Sequence, residues 1–550
     1  MTLHPSPLGA TFSRRAALGL AAGTATAALA GCHSATDTGN DIQSKIESPP
    51  PEVNLSGFPL VTKPTTLDFM TGTPAATAND WNTVASWQQY QKQTDVTVNW
   101  GPIPVDSIAE KRNLALSSGD YPGAVYGGRF TALDAGKYGE QGVFVTWNDL
   151  IDKYMPNLKA LMQKYPQQLA KGMTYPDGSI YGCPNLQDPD FTALKIKYKL
   201  WIRTDWLDKL GLKTPTTVDD LTAYLRAVKA AMPNGKSTVP YGEIYGGSGI
   251  VSSLAGAFGF GNLGATQTFL DLDPDGKLRF FPICDGYHDL LVYVHQLYAE
   301  RLIAQDVFSV DTTKFASDAS KGNYGGLITM GPETAYGEVG KNYQVVPALT
   351  GPNGAKSWNY VYARLTNPAN FVLTDHTEHP VVTARWMDYF YSDEGTKLFF
   401  MGVEGTSYQE TANGVEYLPK IASPGNGQTL NQALKPYVTY MGGGYPGIVK
   451  AAYFHGDENS AQAVAGAKIL EPDCIDDAMP SLLFTTDEQS KLNDLATDIE
   501  KYASESRDRF ISGDLKIDDG WDGYVAQLQK MGLDDYMAIQ DAAYQRYAGQ

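Results

Sequence analysis

Apolar residues recur along this chain with two periods, and the alternation between them sketches a layered fold. Leu67-Asp68-Phe69-Met70 predicts a first strand, followed by a polar loop from Thr73 to Asp80 and a helix from about Trp81 to Gln93. Val96-Thr97-Val98-Asn99-Trp100 alternates with period two, as a half-buried strand does. Tyr121 to Tyr126 predicts another short strand, ending at Gly127-Gly128-Arg129. Between Leu194 and Arg203, Leu194, Ile196, Tyr198, Leu200 and Ile202 fall on one face, with Lys195, Lys197, Lys199, Trp201 and Arg203 on the other. That pattern predicts a strand with one core face and one wet or partner-facing face. Thr217 and Asp220 have the spacing of a capping box, opening a helix whose stripe is Val218, Leu221, Leu225 and Val228. Pro233-Asn234-Gly235 stops it. From Asp487 to Tyr547 the helical spacing returns. No fixed-period repeat is present. Strands alternating with helices predict an α/β sheet, largely parallel.

The N-terminus has a different texture. Ser13-Arg14-Arg15 opens a short run rich in Ala, Gly and Thr that closes on Leu29-Ala30-Gly31-Cys32. A cationic start, a short apolar run and small residues before a cut site make an export signal over 1–31. The paired arginines resemble a twin-arginine signal, and Leu29-Ala30-Gly31-Cys32 resembles a bacterial lipobox, in which Cys32 is diacylated. Two acyl chains give stable anchoring where one is marginal. Residues 32–63 are Ser-, Thr-, Asp- and Asn-rich with a Pro49-Pro50-Pro51 run, which predicts a flexible tether.

Composition narrows the function. The chain has 550 residues and a formal charge of −18, which argues against a nucleic-acid partner, since phosphate binding needs a basic face. Tyrosine, at 33 residues, is abundant. Tyr and Trp pair an apolar face with a polar handle and suit a surface that grips something half polar. Once Cys32 is set aside, Cys183, Cys284 and Cys474 allow at most one disulfide.

Three motifs have bland readings. Gly259-x-Gly261-x-x-Gly264 has dinucleotide spacing, but the run before it, Val251 to Phe258, is not strand-like. Asp271 to Gly276 starts like a calcium loop, yet the twelfth position is Pro282 instead of a bidentate Glu, so a hairpin turn at Asp275-Gly276 is expected. Asp375-His376-Thr377-Glu378-His379 lacks zinc spacing and is explained by the helix start at Pro380. No metal or cofactor is expected. There is no G-x-S-x-G elbow or P-loop, and no carboxylate pair stands out.

Several stretches in order resemble the extracellular solute-binding proteins of family 1 type, the lipoprotein partners of bacterial ABC sugar importers. They are Lys111 to Pro122, Tyr175 to Gly182, Trp201 to Leu212, Arg385 to Gly395, and Gly402 to Tyr408. The resemblance implies a periplasmic-binding-protein-like α/β fold, type II-like, with two discontinuous lobes joined by a hinge. They are expected over 64–183 with 361–419, and 184–360 with 420–550. It implies a non-enzymatic receptor, expected as a monomer on the outer face of the cell membrane. That receptor would close on an oligosaccharide and present it to the importer's transmembrane subunits. Larger relatives carry a calcium loop after the helix that here ends at Met232, but Pro233 to Thr238 lacks the carboxylates. Trp206 and Trp386 are expected in the core, and Arg203 in an ion pair. Sugar contacts are expected on loops at strand ends: Asn79, Asp80 and Trp81; Arg129; Tyr245; Trp358 and Tyr360; and, more remotely, Glu404 and Tyr408. The alternatives are a receptor for a peptide or other polar solute, and a glycan-acting enzyme.

Overall fold

The computed structural model describes residues 35–549, apart from 76, 413, 426, 427, 440, 441 and 443. The export signal and Cys32 therefore lie outside the described residues. Two sheets organise the rest. The first has seven strands. Six run in the order Gly447–Val449, Cys183–Gln187, Leu365–Leu373, Ala124–Tyr126, Thr65–Thr73, Val96–Asn99, and Pro102–Pro104 pairs with the far end of Thr65–Thr73. All its pairs are parallel except those of Leu365–Leu373, whose register slips on either side of Asn367. Pro368 lies at that slip, and a proline has no N–H to give a neighbouring strand.

The second sheet runs Tyr343–Val345, Lys199–Arg203, Tyr324–Thr329, Val239–Gly242, with Lys199–Arg203 antiparallel to both neighbours. Helices cover both sheets. The capping box at Thr217 and Asp220 opens the helix Val218–Ala231 as its spacing predicts. The C-terminal stretch is three helices, Thr486–Ser512, Ile517–Lys530 and Leu533–Ala548.

The first lobe is filled with indoles. Trp81 and Trp87 stack with centroids 6.2 Å apart, Trp87 and Trp386 at 5.6 Å, and Trp100 wedges against Trp81 at 4.9 Å. Such rings bring large apolar areas together in offset and edge-on geometries. Trp206 and Trp386 are buried, as expected.

Three expectations change. The 32–63 stretch is no tether from residue 41 on. The helix Ala35–Glu47 packs against the helix Pro380–Asp388, Ile42 and Ile46 are buried, and Val53 bridges Val61. Two isoleucines at i and i+4 put one apolar stripe on the lobe, which its polar composition hid. The chain leaves the first lobe after Gln187. It does not return to the second at Lys420 either, because Gly447–Val449 pairs with Cys183–Gln187 in the first sheet. The predicted strand from Leu194 is a short helix, Thr192–Lys195, followed by a five-residue strand, Lys199–Arg203, buried along its whole length. Its supposedly wet face is interior.

Candidate functional site

Three segments cross between the sheets: residues 188–198, 346–364 and 450–460. The first leaves the C-terminal end of Cys183–Gln187 and enters at Lys199. That end of the second sheet also carries the C-terminal ends of its three other strands. Ligands of open α/β sheets bind outside the carboxyl ends of strands, so the space beside the crossings is the place to look.

A tyrosine cluster occupies it. The ring of Tyr198, on the first crossing, lies nearly parallel to that of Tyr360, on the second, at 5.9 Å. Tyr362 lies 5.9 Å from Tyr360 and 6.0 Å from Tyr198, and Tyr245 meets Tyr198 edge-on at 5.6 Å. All four are half-buried. Burial pushes each phenol up, Tyr362 to about 12, so every hydroxyl keeps its proton at neutral pH and can both donate and accept.

Tyr360 and Tyr362 open onto a cavity of about 250 Å³ walled by Phe260, Phe281, Tyr287, Asn359 and Arg507, with Ser248 and Ser252 from the helix Ser248–Leu254. No Asp or Glu is among its described lining residues, although the chain is acidic overall. Asn359 is fixed: its amide donates to the Phe260 carbonyl at 2.6 Å. Arg507 leans on Asp508 at 2.8 Å. The loop carrying Tyr245 hangs on Glu243, which is buried. Its carboxylate accepts from the backbone N–H groups of Gly249 at 3.1 Å and Ile250 at 2.8 Å and from the Tyr241 hydroxyl. Burial raises the Glu243 carboxyl above its ordinary value.

The motif glycines fall at this rim. Gly261 and Gly264 line the cavity, and both have left-handed φ. A Cβ on Gly264 would lie 2.5 Å from that of Ala478. The glycines serve close packing, with a short 3-10 turn before them instead of a strand. Asp275-Gly276 is the hairpin turn expected, with Asp271 paired to Arg279 at 2.7 Å. Asn234 closes the short turn after Met232 by hydrogen bonds to Thr238 and Asn323. Among the described residues no cluster of His, Cys, Asp and Glu could hold a metal ion.

Of the residues expected to touch ligand, Tyr245 and Tyr360 belong to the cluster. Asn79, Asp80 and Arg129 lie exposed at the C-terminal ends of first-sheet strands, and Arg129 makes no ion pair with a described residue. Asp80 caps the turn Trp81–Thr83. Trp81 itself is a correction. It is 1% exposed within the indole stack, its N–H spent on Thr77. Trp358 is likewise buried, at 2% exposure, behind Tyr360 in the chain. Tyr408 is buried and Glu404 exposed beside the hairpin that packs on the helix Asp393–Met401 of the first lobe, whereas the cavity is walled by the second lobe and the second crossing. Tyr198, Tyr362, Asn359 and Arg507 were missed. Tyr198 sat in the apolar half of an alternation, and Arg507 in a helix that reads as solvated.

The family described as bacterial extracellular solute-binding protein matches residues 75–397. FusA of Streptococcus pneumoniae serotype 4, a fructooligosaccharide ABC transporter substrate-binding protein, is 30% identical over 531 residues, covering 92% of this chain and 95% of FusA. The chain belongs to this family. It is a two-lobed solute-binding protein, not an enzyme. The solved structure of S. pneumoniae FusA with kestose is similar with a TM-score of 0.72 at 28% identity, covering 88% of this chain and 99% of that one. Lipoprotein LipO of Bacillus subtilis strain 168 is 25% identical over 57% of this chain and 62% of its own. Among the described residues of this solute-binding protein no helix is long and apolar enough to cross a membrane.

Proposed function

We propose that this chain is the receptor of an ABC importer for a fructooligosaccharide, tethered outside the cell through a diacylated Cys32 and acting as a monomer. The observation that carries the reading is the tyrosine-faced, carboxylate-free cavity between the second lobe and the second crossing. Sugar rings lay their C–H faces on the phenols, while Asn359, Arg507 and the serines offer donors and acceptors to hydroxyls. From the first lobe, the exposed Asn79, Asp80 and Arg129 would add contacts to the ligand once the lobes approach. Binding then stabilises the closed form by contacts that exist only in it. A cationic peptide finds no counter-charge in this cavity, which argues against the main alternative solute. The full-length relationship to FusA supports fructose oligomers as the class and a permease as the partner.

Calorimetric titration of the chain with kestose, nystose, maltotriose and a cationic peptide tests this. Saturable binding of the fructose oligomers is expected, with Tyr360→Ala weakening it about tenfold or more. Binding of the peptide alone would sink the carbohydrate reading. Loss of lipid labelling in Cys32→Ser tests the anchor.

A further inference from the structure

The lysines that alternate ahead of the second sheet converge on the crossings. Lys195 donates to the carbonyls of Ile475, at 2.9 Å, and Asp476, and its own carbonyl accepts from the Tyr362 N–H at 3.0 Å. Lys197 goes further. Its ammonium lies 5.9 Å from the centroid of Tyr198 on the first crossing and 5.7 Å from that of Tyr362 on the second. It also lies 3.9 Å from the carboxylate of Glu458 on the third. One charge therefore meets all three segments. Glu458 is only 5% exposed and sits in the short turn Asp457–Asn459. Burial raises the Glu458 carboxyl above its ordinary value, and the neighbouring Lys197 ammonium offsets part of that cost.

We propose that Lys197, held by Glu458, is a positioning residue for ligand binding: it fixes the Tyr362 ring that lines the cavity and the Tyr198 ring that packs behind Tyr360 and Tyr362, without touching the solute. The inference rests on the carbohydrate reading. A cation over two ring faces restricts how those rings can turn, and an anchor on the third crossing keeps the cation there as the lobes move. Preorganised rings lose less freedom when a ligand arrives, so the cost of disordering them appears in affinity.

The test is a nystose titration of the full chain and four variants, each first checked by circular dichroism and unliganded melting. Lys197→Met and Glu458→Gln are expected to fold and to weaken affinity about tenfold. Lys197→Arg should recover most of the loss, because a guanidinium keeps the charge, the ring contact and the reach to Glu458. The double variant should bind no more weakly than Lys197→Met, since the two residues act through one contact. Affinity of Lys197→Met within twofold of the parent, or an Arg variant as weak as the Met variant, would overturn the proposal while leaving the carbohydrate reading intact. A parent chain that binds no sugar overturns both.

Discussion

At the scale of single residues, the interior of the second lobe holds a charge in a place that a hydrophobe would fill. Lys199 is the first residue of its strand and has no exposure, and among the described residues its ammonium's one hydrogen bond is a long one to the Lys197 carbonyl, at 3.5 Å. Burial, partly offset by Glu458, pulls it down to about 7. An unfolded lysine titrates near 10.4, so between about 7 and 10 the unfolded chain holds the extra proton and folding stability rises with pH. Below about 7 both states are protonated, and the burial cost is present in full. Lys199→Met is therefore expected to stabilise the protein by about 1–4 kcal/mol at pH 6, with the gain shrinking toward pH 10. Melting both proteins across that range reads the difference directly, which cancels the buried phenols and thiols they share. A gain that stays constant with pH would mean that Lys199 is charged or neutral in both states alike. Trp81 shows the reverse case. It is the residue whose type best suited a sugar, yet it is spent in the core, because nothing in a sequence says on which side of a strand end an indole will fall.

At the scale of elements, legibility followed periodicity. The strands near Leu67 and Val96, the capped helix at Val218 and the C-terminal helices each repeat a pattern over enough positions to be read, and each is present. Elements built on one or two apolar contacts were not. Gly447–Val449 is three residues long and gains its place only by pairing with Cys183–Gln187, which lies far away in sequence. The lysine alternation was legible as a pattern but not in meaning, since counting charges cannot show that Lys199 turns inward. The site shared that limit: Tyr198, Tyr360 and Asn359 come together only through the crossings. The helix Ala35–Glu47 gives the sharpest test. Ile46 is 1% exposed, and its carbonyl accepts from the Tyr154 hydroxyl at 2.6 Å, so the segment is part of the first lobe. Ile46→Ala should cost about 2–5 kcal/mol, the range for emptying a buried aliphatic site, where a substitution in a free tether would cost nothing. Urea unfolding gives the number, and a midpoint unchanged from the parent would restore the tether.

At the scale of the whole molecule, the question is whether the lobes melt together. One continuous core runs from Trp81 and Phe371 of the first lobe through Trp358 and Phe454 of the crossings to Leu200 and Val228 of the second. Lobes joined through packed apolar side chains are expected to unfold as one unit, unlike lobes joined by bare linkers. Ligand melting distinguishes the two cases without assuming either. A solute at about a hundred times its dissociation constant adds roughly 2.7 kcal/mol to the state that binds it. The midpoint then rises by that energy divided by the unfolding entropy, about 2.1 cal/mol/K for each residue that unfolds. If some 500 residues unfold together, the rise is about 2–3 °C; if the second lobe melts alone, roughly half the residues share the same energy and the rise nearly doubles. The continuous core predicts the smaller shift, a single calorimetric peak, and van't Hoff and calorimetric enthalpies that agree. Two peaks, with only one moved by nystose, would show that the crossings do not couple the lobes in unfolding. Lobe closure would then have to be carried by the ligand and the polar ties at the hinge alone.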